Sequence, residues 1–443
     1  MMFVLVFSAL AVSIAVFSGT NVRIADNQCK ADSARACAES GLDIIRYWLN
    51  RVAISGTTPM EMQFQQIAAS FCNDLTLNGI TNIPASYTAS TITIPNVTLN
   101  QAEGQSFSAL IARLDNDTLQ LDVTGLCGSF TRTIRVNYEF GQRAHTIFDF
   151  GVATKGPLSL AGNIDLAGVN ISVESSVYIE SAESLLALSI IGNSHIAGDV
   201  SIVNPIADVL LQGKAGIGGE SGQDAIDNHV TFGVPPSEFP EPTPGYFESF
   251  VTNIVDSKTD TTKQAVLENV KILAGTNPTF TRRVTLKGVV FVEAPNVVIF
   301  AGSADVIGII VGDGDINDDS ATNRIEFRGN VSSRPVTDLP QTPQFAAIRN
   351  ETGTFAVAPG FHLAFGGSFD TLNGAIAANG IQFFGNAGGI INGSIINYSA
   401  EDMTLTGNSD LYFNRSGLTE VPSGFIPEII LRYDPTSYTE VAL

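Results

Sequence analysis

Residues 1–52 read MMFVLVFSALAVSIAVFSGTNVRIADNQCKADSARACAESGLDIIRYWLNRV. No charged residue precedes Arg23. The first 18 residues would span about 27 Å as a helix, close to the ~30 Å thickness of the hydrocarbon core of a bilayer. A secretory signal peptide would carry a basic segment ahead of a shorter apolar run. The stretch therefore predicts a membrane-spanning helix.

The helical pattern continues beyond the apolar run. Mostly small and apolar residues recur there at steps of three and four, at Ile24, Gln28, Ala31, Ala34, Ala38, Leu42, Ile45, Trp48 and Val52. Residues with this spacing share one face of a helix, so we predict a single helix from Met1 to about Arg51. A membrane tether with a juxtamembrane stalk is the simpler interpretation, but a tether needs no apolar stripe beyond the lipid.

Residues 21–52 resemble the N-terminal region of PilX-type type IV pilus assembly proteins. That family combines an apolar helix, a basic residue, an Asn-centred segment and a helical turn of the Ala-Ala-Glu-x-Gly-Leu kind. The matching residues here are Arg23, Asn27, Ala34, Ala38, Glu39, Gly41 and Leu42. Position five departs from the major pilins, since Leu5 stands where they carry Glu.

The resemblance implies a minor pilin, a structural component of a type IV pilus-like or pseudopilus filament. Its helix would contact other pilin-like subunits, and we assign the assembly residues as Ile24, Ala31, Ala38, Glu39, Gly41, Leu42 and Ile45. The implied location is the inner membrane before assembly, then the cell surface or an extracellular filament.

Residues 56–150 predict a small pilin-like head behind the helix of residues 1–55. After Pro59, Met60 to Leu77 has the apolar spacing of a second helix. Residues 106–114, 118–126 and 130–140 alternate apolar and polar side chains, as strands of an antiparallel meander do.

From residue 151 to 430, short β-branched runs are separated by Gly-Asn or Gly-Asp doublets. The doublets are Gly162-Asn163, Gly192-Asn193, Gly198-Asp199, Gly329-Asn330, Gly385-Asn386 and Gly407-Asn408. Gly162 and Gly192 are 30 residues apart, and Gly385 and Gly407 are 22 residues apart. These spacings are typical of the coils of a parallel β-helix with left-handed corners. A β-sandwich is the alternative, but these runs are apolar on both faces.

The predicted fold class is therefore α+β: a long N-terminal pilin-like helix with a small antiparallel sheet, followed by a parallel β-helix. Three segments lie outside that pattern. PPSEFPEPTPG at residues 235–245 excludes helix and strand, residues 262–273 predict a helical piece, and residues 431–443 predict a C-terminal tail.

The charge balance excludes one class of partner. Lys and Arg number 23 against 44 Asp and Glu, a formal charge of −21. Such a chain repels phosphate backbones, so we expect no nucleic-acid binding. A surface ligand such as a polysaccharide is compatible with this charge.

Four cysteines and one acidic loop are the candidate covalent and metal sites. Cys29 and Cys37 are too far apart on one helix for a bond, which leaves Cys72 with Cys127, or each of these with a helix cysteine.

In the loop GDGDINDDS, Asp313, Asp315, Asn317 and Asp319 alternate as calcium ligands do, although Arg324 stands where a closing Glu would. A solvated turn without a cofactor is the competing interpretation.

A membrane-tethered β-helical carbohydrate-active enzyme and an adhesin are the alternative functions. Catalysis on a glycan would need paired carboxylates, and Asp165, Glu174 and Glu180 are candidates. The four histidines are isolated in sequence, and no nucleophile or phosphate-binding motif is present. We therefore predict a protein that is not an enzyme.

Overall fold

The computed structural model describes residues 2–182, 184–317, 322–415 and 421–441. The chain divides into two compact units. The first, which we call the head, contains the residues up to 143 and those from 428 onward. The second, which we call the insert, is residues 144–427. The insert therefore interrupts the head in sequence.

Two helices of the head confirm their sequence predictions. Helix α1 spans Met2–Leu49 and helix α2 spans Met60–Leu77. Pro59 immediately precedes α2, where its fixed φ suits the entry to a helix. The buried face of α2 consists of Phe64, Ile67, Ala68, Phe71 and Leu75.

An antiparallel sheet forms the rest of the head. Its strands are β1 (Ala53–Ser55), β2 (Ser86–Tyr87), β3 (Thr91–Asn100), β4 (Gln105–Arg113), β5 (Thr118–Cys127), β6 (Phe130–Arg143) and the C-terminal strand (Glu428–Val441). The order is β1, C-terminal strand, β6, β5, β4, β3, β2. Strands β4 to β6 confirm the predicted meander, and Leu119, Leu121 and Val123 are fully buried.

The predicted C-terminal tail is wrong, because this segment is a strand paired with β6. Ile429 and Leu431 are buried in the head core. The register shifts between Asp434 and Thr439, and this irregularity accommodates Pro435. A proline within a strand normally argues against the strand, which is why the sequence pattern concealed it.

Within the described residues, the insert forms three largely parallel sheets, whose strands follow one another in space in this order. The first contains Val230–Phe232, Val200–Ile202, Val177–Ile179, Val152–Thr154, Ile395–Asn397, Ala375–Ala378, Thr354–Ala358, Ala304–Asp313, Val284–Glu293, Ala265–Ile272 and Asn253–Val255, with Val331–Arg334 beside Ala304–Asp313. The second contains Asp208–Gly213, Leu186–Gly192, Leu158–Gly162, Met403–Gly407, Ile381–Phe383, His362–Phe365, Arg324–Phe327, Val297–Phe300 and Thr279–Phe280. The third contains Glu220–Ser221, Gly216–Ile217, His195–Ile196, Asp165–Gly168, Leu411–Phe413, Gly389–Asn392 and Thr371–Asn373.

The order of strands in the insert does not follow the order of the chain. Val152–Thr154 lies between Val177–Ile179 and Ile395–Asn397, and it pairs with both. From this middle position the chain builds outward to residue 232. It then crosses to the other end of the stack and returns from residue 253 towards the middle. The first and last strands that the insert contributes to this sheet are thus neighbours.

The helical piece predicted at residues 262–273 is wrong. Ala265–Ile272 is a strand that pairs with Val284–Glu293, and the register shifts between Glu268 and Val270. Asn269 has a φ of 46° at this shift, a conformation that asparagine tolerates better than most residues. The β-branched residues of the segment favour the strand.

Short helices complete the insert. Helix α3 spans Gly222–His229, and 3-10 helices occupy Thr146–Asp149, Ser172–Ser175, Pro244–Phe250, Val336–Asp338, Pro343–Phe345 and Ile348–Asn350. Ala225 of α3 is fully buried and joins the core of the coils at Ile217 and Val230. Helix α3 therefore covers apolar side chains at that end of the sheets.

Glycine corners hold neighbouring strands in register at four of the six predicted doublets: Gly162, Gly192, Gly385 and Gly407 have a positive φ, whereas Gly198 and Gly329 do not. Gly162 pairs with Gly192 on one side and with Gly407 on the other. A Cβ atom on Gly192 would lie 2.5 Å from the carbonyl oxygen of Gly162, so the corner excludes other residues. Asn193 Nδ2 donates to Asn163 Oδ1 across 2.6 Å. The core carries a matching stack of parallel rings, Phe280, Phe300, Phe327, Phe365 and Phe383, with neighbouring centroids 4.8 to 5.4 Å apart.

Candidate assembly helix

The first half of α1 exposes large apolar side chains along its length. Phe3, Phe7 and Phe17 are 81%, 67% and 70% exposed, and Val22 is exposed as well. By length and composition, the segment Phe7–Leu49 could cross a membrane, and its apolar window is not buried at all. An apolar surface of this size is unfavourable in water, so lipid or another protein is expected to cover it.

The second half of α1 is docked on the head. Ala31, Ala38, Leu42 and Ile45 are buried there, together with Trp48 and Leu49. Ile24, by contrast, is 61% exposed and belongs to the apolar half. The predicted assembly residues therefore divide into two sets. The buried set faces the core of its own head and is not available to a partner helix.

Two glycines allow α1 to lie directly against the sheet. A Cβ atom on Gly125 of β5 would lie 2.0 Å from the carbonyl oxygen of Ala34 and 2.4 Å from the nitrogen of Ala38. A Cβ atom on Gly41 would lie 2.6 Å from the ring of Phe107. Sequence reasoning missed Gly125, although an isolated glycine within an alternating strand is a signal of close backbone approach.

Polar side chains surround the docked half. Glu39, another predicted assembly residue, is exposed, and its Oε1 accepts from Arg35 Nε at 3.1 Å and from the Tyr438 hydroxyl at 3.3 Å. The guanidinium of Arg46 lies 4.5 Å from the ring centroid of Tyr433. Both tyrosines belong to the C-terminal strand, so this strand fixes the helix from one side. Exposed pairs of this kind contribute little to stability, because water screens them.

The cysteines form no disulfide, and the predicted bond between Cys72 and Cys127 is absent. All four cysteines are free. Cys127 ends β5, and its Sγ lies 4.0 Å from the carbonyl oxygen of Glu103. Cys72 packs from α2 against the core of the head, and its burial raises the pKa of the thiol.

The acidic loop holds its described side chains in a local turn. Asp315 Oδ1 accepts from the backbone nitrogen of Asn317 at 2.9 Å and from its Nδ2 at 3.0 Å. Burial raises the pKa of Asp313, which disfavours its ionised form. Asp319 lies outside the described residues. Among those described, no group of three or more His, Cys, Asp or Glu side chains could hold a metal ion. A calcium site here stays a prediction.

The three carboxylates considered for catalysis come from three different segments of the insert. Asp165 Oδ1 lies 3.2 Å from His195 Nδ1 in the third sheet. Glu180 follows the strand Val177–Ile179 of the first sheet. Glu174 is only 3% exposed and sits in a 3-10 helix. Each of the three therefore belongs to a different element.

Glu174 and Arg415 join the beginning of the insert to its end. The Glu174 carboxylate accepts from the backbone nitrogens of Asn170 and Arg415, at 2.8 Å and 3.2 Å. The half-buried Arg415 guanidinium donates to the carbonyl oxygens of Val173, Glu174 and Phe148, at 2.9, 2.8 and 3.0 Å. Loss of water around the guanidinium lowers the pKa of Arg415. We call this arrangement the Glu174–Arg415 clamp.

The clamp predicts an acid-sensitive insert. Burial raises the pKa of Glu174, but its hydrogen bonds from Asn170 and Arg415 lower it further, so the net pKa lies below its ordinary value of 4.5. The carboxylate therefore stabilises the fold fully above about pH 4.5, and this contribution is lost as pH falls through the folded-state pKa. In urea unfolding between pH 6 and 3, Glu174→Gln should lose part of the pH dependence of the wild type. Parallel curves for the two proteins would contradict this.

Comparisons with known proteins add one structural likeness. No protein-family model and no curated protein matches this chain. Among solved structures, the crystal structure of the competence-associated pilin ComZ from Thermus thermophilus aligns over 93% of this chain and 97% of its own. The sequences are 10% identical in that alignment, and the TM-score is 0.22.

Proposed function

We propose that this chain is a minor pilin of the PilX type, a structural subunit of a type IV pilus-like or pseudopilus filament. In this proposal the apolar half of α1 lies in the inner membrane before assembly and among the helices of other pilin-like subunits afterwards. The insert is then displayed at the cell surface. The proposal rests on one observation about the helix Met2–Leu49. Its first half is apolar and exposed, and its second half packs against its own head.

The docking of α1 is what favours a filament over a simple tether. A tether needs only to cross the lipid, and its stalk can be loosely attached. Here Gly125 and Gly41 bring the helix backbone against the sheet, so the apolar half has a defined direction relative to the head. Burying one large apolar side chain between subunits contributes about 1.5–3 kcal/mol, and Phe7, Phe17 and Val22 offer several such contacts.

We propose further that the insert is a parallel β-helix that serves as a display module and not as an enzyme. Support comes from its parallel registers, in which Val284 pairs with Ala304 and Val152 with Val177, and from the stacked glycine corners. The burial of Glu174, which is only 3% exposed, also favours a module without catalysis. Incubation with a panel of polysaccharides should release no reducing or unsaturated sugar. Turnover abolished by one carboxylate substitution would establish the tethered enzyme instead.

A substitution within the exposed apolar half of α1 tests the proposed assembly into a filament. Phe17 is 70% exposed, so Phe17→Asp removes no contact within the head. Between packed helices, however, an unpaired carboxylate costs several kcal/mol. Relative to its amount in the membrane fraction, we expect this variant to drop at least ten-fold in sheared surface filaments, with an unchanged fluorescence spectrum of Trp48.

Ile206→Asp is the matched control, because Ile206 is equally exposed but belongs to the insert. It should enter filaments as the wild type does. Equal incorporation of the Phe17 variant, or absence of the wild type from sheared filaments, would overturn the proposal.

A further inference from the structure

A proline-rich segment, residues 234–245, crosses the surface of the insert and is fixed there by two tyrosines. We call it the strap. The hydroxyl of Tyr178 accepts from the backbone nitrogen of Ser237 at 2.8 Å. The hydroxyl of Tyr398 donates to the carbonyl oxygen of Pro240 at 2.6 Å. The ring of Phe239 lies between the two, with centroids 6.1 Å from Tyr178 and 6.0 Å from Tyr398. Two hydrogen bonds and an aromatic cluster therefore fix the strap on the insert, where it forms a wall.

A cleft of about 270 Å³ opens beside this wall. Its lining includes Lys155, Phe239, Glu241, Pro359 and Tyr398. A cleft of this size holds several water molecules, and hence one ring-sized ligand. Aromatic and proline side chains supply most of its surface, with one ammonium and one carboxylate as the charged groups. This combination of apolar walls and a few polar groups is typical of small-molecule sites.

Lys155 is the unusual member of the lining. Its Nζ lies 5.4 Å from the ring centroid of Phe239 and 5.9 Å from that of Tyr398. Among the residues that the structure describes, no carboxylate forms an ion pair with it. Lys271 shows the contrast, since its Nζ contacts Glu248 at 2.7 Å and Glu293 at 2.6 Å. In a chain with 44 acidic and 23 basic side chains, a half-buried ammonium between aromatic rings is well placed to attract an anionic ligand.

We propose that the strap cleft binds a carboxylate-bearing sugar, such as a uronic acid residue of an acidic polysaccharide. The sugar carboxylate pairs with Lys155, and a C–H face of the ring packs against Phe239 and Tyr398. The exposed Glu241 accepts hydrogen bonds from sugar hydroxyls. A single ammonium balances the one carboxylate of the uronic acid residue that enters the cleft. A neutral sugar would leave the ammonium without its anion.

Binding measured on the full chain in detergent micelles tests this site. The probes are trigalacturonic acid and the neutral galactotriose, titrated by calorimetry at low salt. We expect the acidic sugar to bind at least ten-fold more tightly than the neutral one, and to weaken at 0.5 M NaCl because the ammonium pair is screened. Equal affinity for the two sugars, or binding of neither, would overturn the proposal.

Two lysine variants locate the site. Lys155→Met keeps the apolar stem and removes the charge, so its affinity for trigalacturonic acid should fall at least ten-fold. Lys214→Met is the matched control, since Lys214 is an exposed lysine of the insert outside the cleft, and it should bind as the wild type does. Unchanged binding by the Lys155 variant would place the sugar elsewhere and overturn the proposal. The measurement does not depend on filament assembly, so it can fail or succeed separately from the pilin proposal.

Discussion

Valine in place of Gly125 should undock α1 from the head. Valine favours strands, so local propensity alone would predict stabilisation of β5. The new Cβ, however, would lie 2.0 Å from the carbonyl oxygen of Ala34 and 2.4 Å from the nitrogen of Ala38. Both atoms are helix backbone and cannot rotate away, so the helix as a whole must shift. We expect a loss of at least about 3 kcal/mol of unfolding free energy, at the upper end of overpacking costs.

Trp48 makes this result measurable. It is the single tryptophan of the chain and is buried in the head, so its fluorescence reports on the head alone. Urea unfolding of the Gly125→Val variant should show a much lower midpoint or an already exposed tryptophan. Gly19→Ala is the matched control, because nothing lies within 4 Å of a Cβ atom there. A wild-type midpoint for Gly125→Val would show that α1 does not lie against β5.

Removal of the Arg415 guanidinium should open the insert where its beginning and its end join. Arg415→Met leaves three carbonyl oxygens without their donor, those of Val173, Glu174 and Phe148. Hydrogen bonds from a charged donor contribute about 1.5–3 kcal/mol each, but water replaces part of this at a half-buried site, so we expect a net loss of about 3 kcal/mol. Arg415→Lys should recover little, since one ammonium cannot reproduce the planar fork.

Hydrogen exchange of the full chain distinguishes local opening from general instability. The amides of the 3-10 helix Ser172–Ser175 should lose protection in the Arg415→Met variant, while β5 of the head keeps it. Arg282→Met, which alters an exposed arginine of the same unit, should exchange as the wild type does. Full protection around Ser172–Ser175 without the guanidinium would show that the clamp contributes nothing.

The sequence predicted those elements whose apolar pattern is strong and local. Helix α1 has an unbroken run and stripe, α2 begins after Pro59, and β4 to β6 alternate over their whole length. The C-terminal strand was missed because Asp434 and Pro435 interrupt its alternation. The helix predicted at residues 262–273 was wrong because its few apolar residues also fit a bulged strand.

The order of coils in the insert could not have been predicted. The corner at Gly162 has the same chemistry as those at Gly192 and Gly407, so the pattern does not say which coil stacks on which. The strap cleft was hidden for a related reason, since Lys155, Phe239 and Tyr398 come from distant parts of the chain. Tyr398 and its partner Pro240 are 158 positions apart. Only the fold brings such residues together.

The placement of the insert has a consequence for the order in which the protein folds. Strand β6 ends at Arg143, which pairs with Glu428 of the C-terminal strand, 285 positions later. Closing a flexible loop of that length costs about 5 kcal/mol in chain entropy. A folded insert removes most of this cost, because Arg415 and Phe148 already join its two ends. During synthesis, the edge of β6 that later pairs with the C-terminal strand therefore stays unpaired until the insert has formed. This interval is when the chain is most exposed to aggregation and to chaperones.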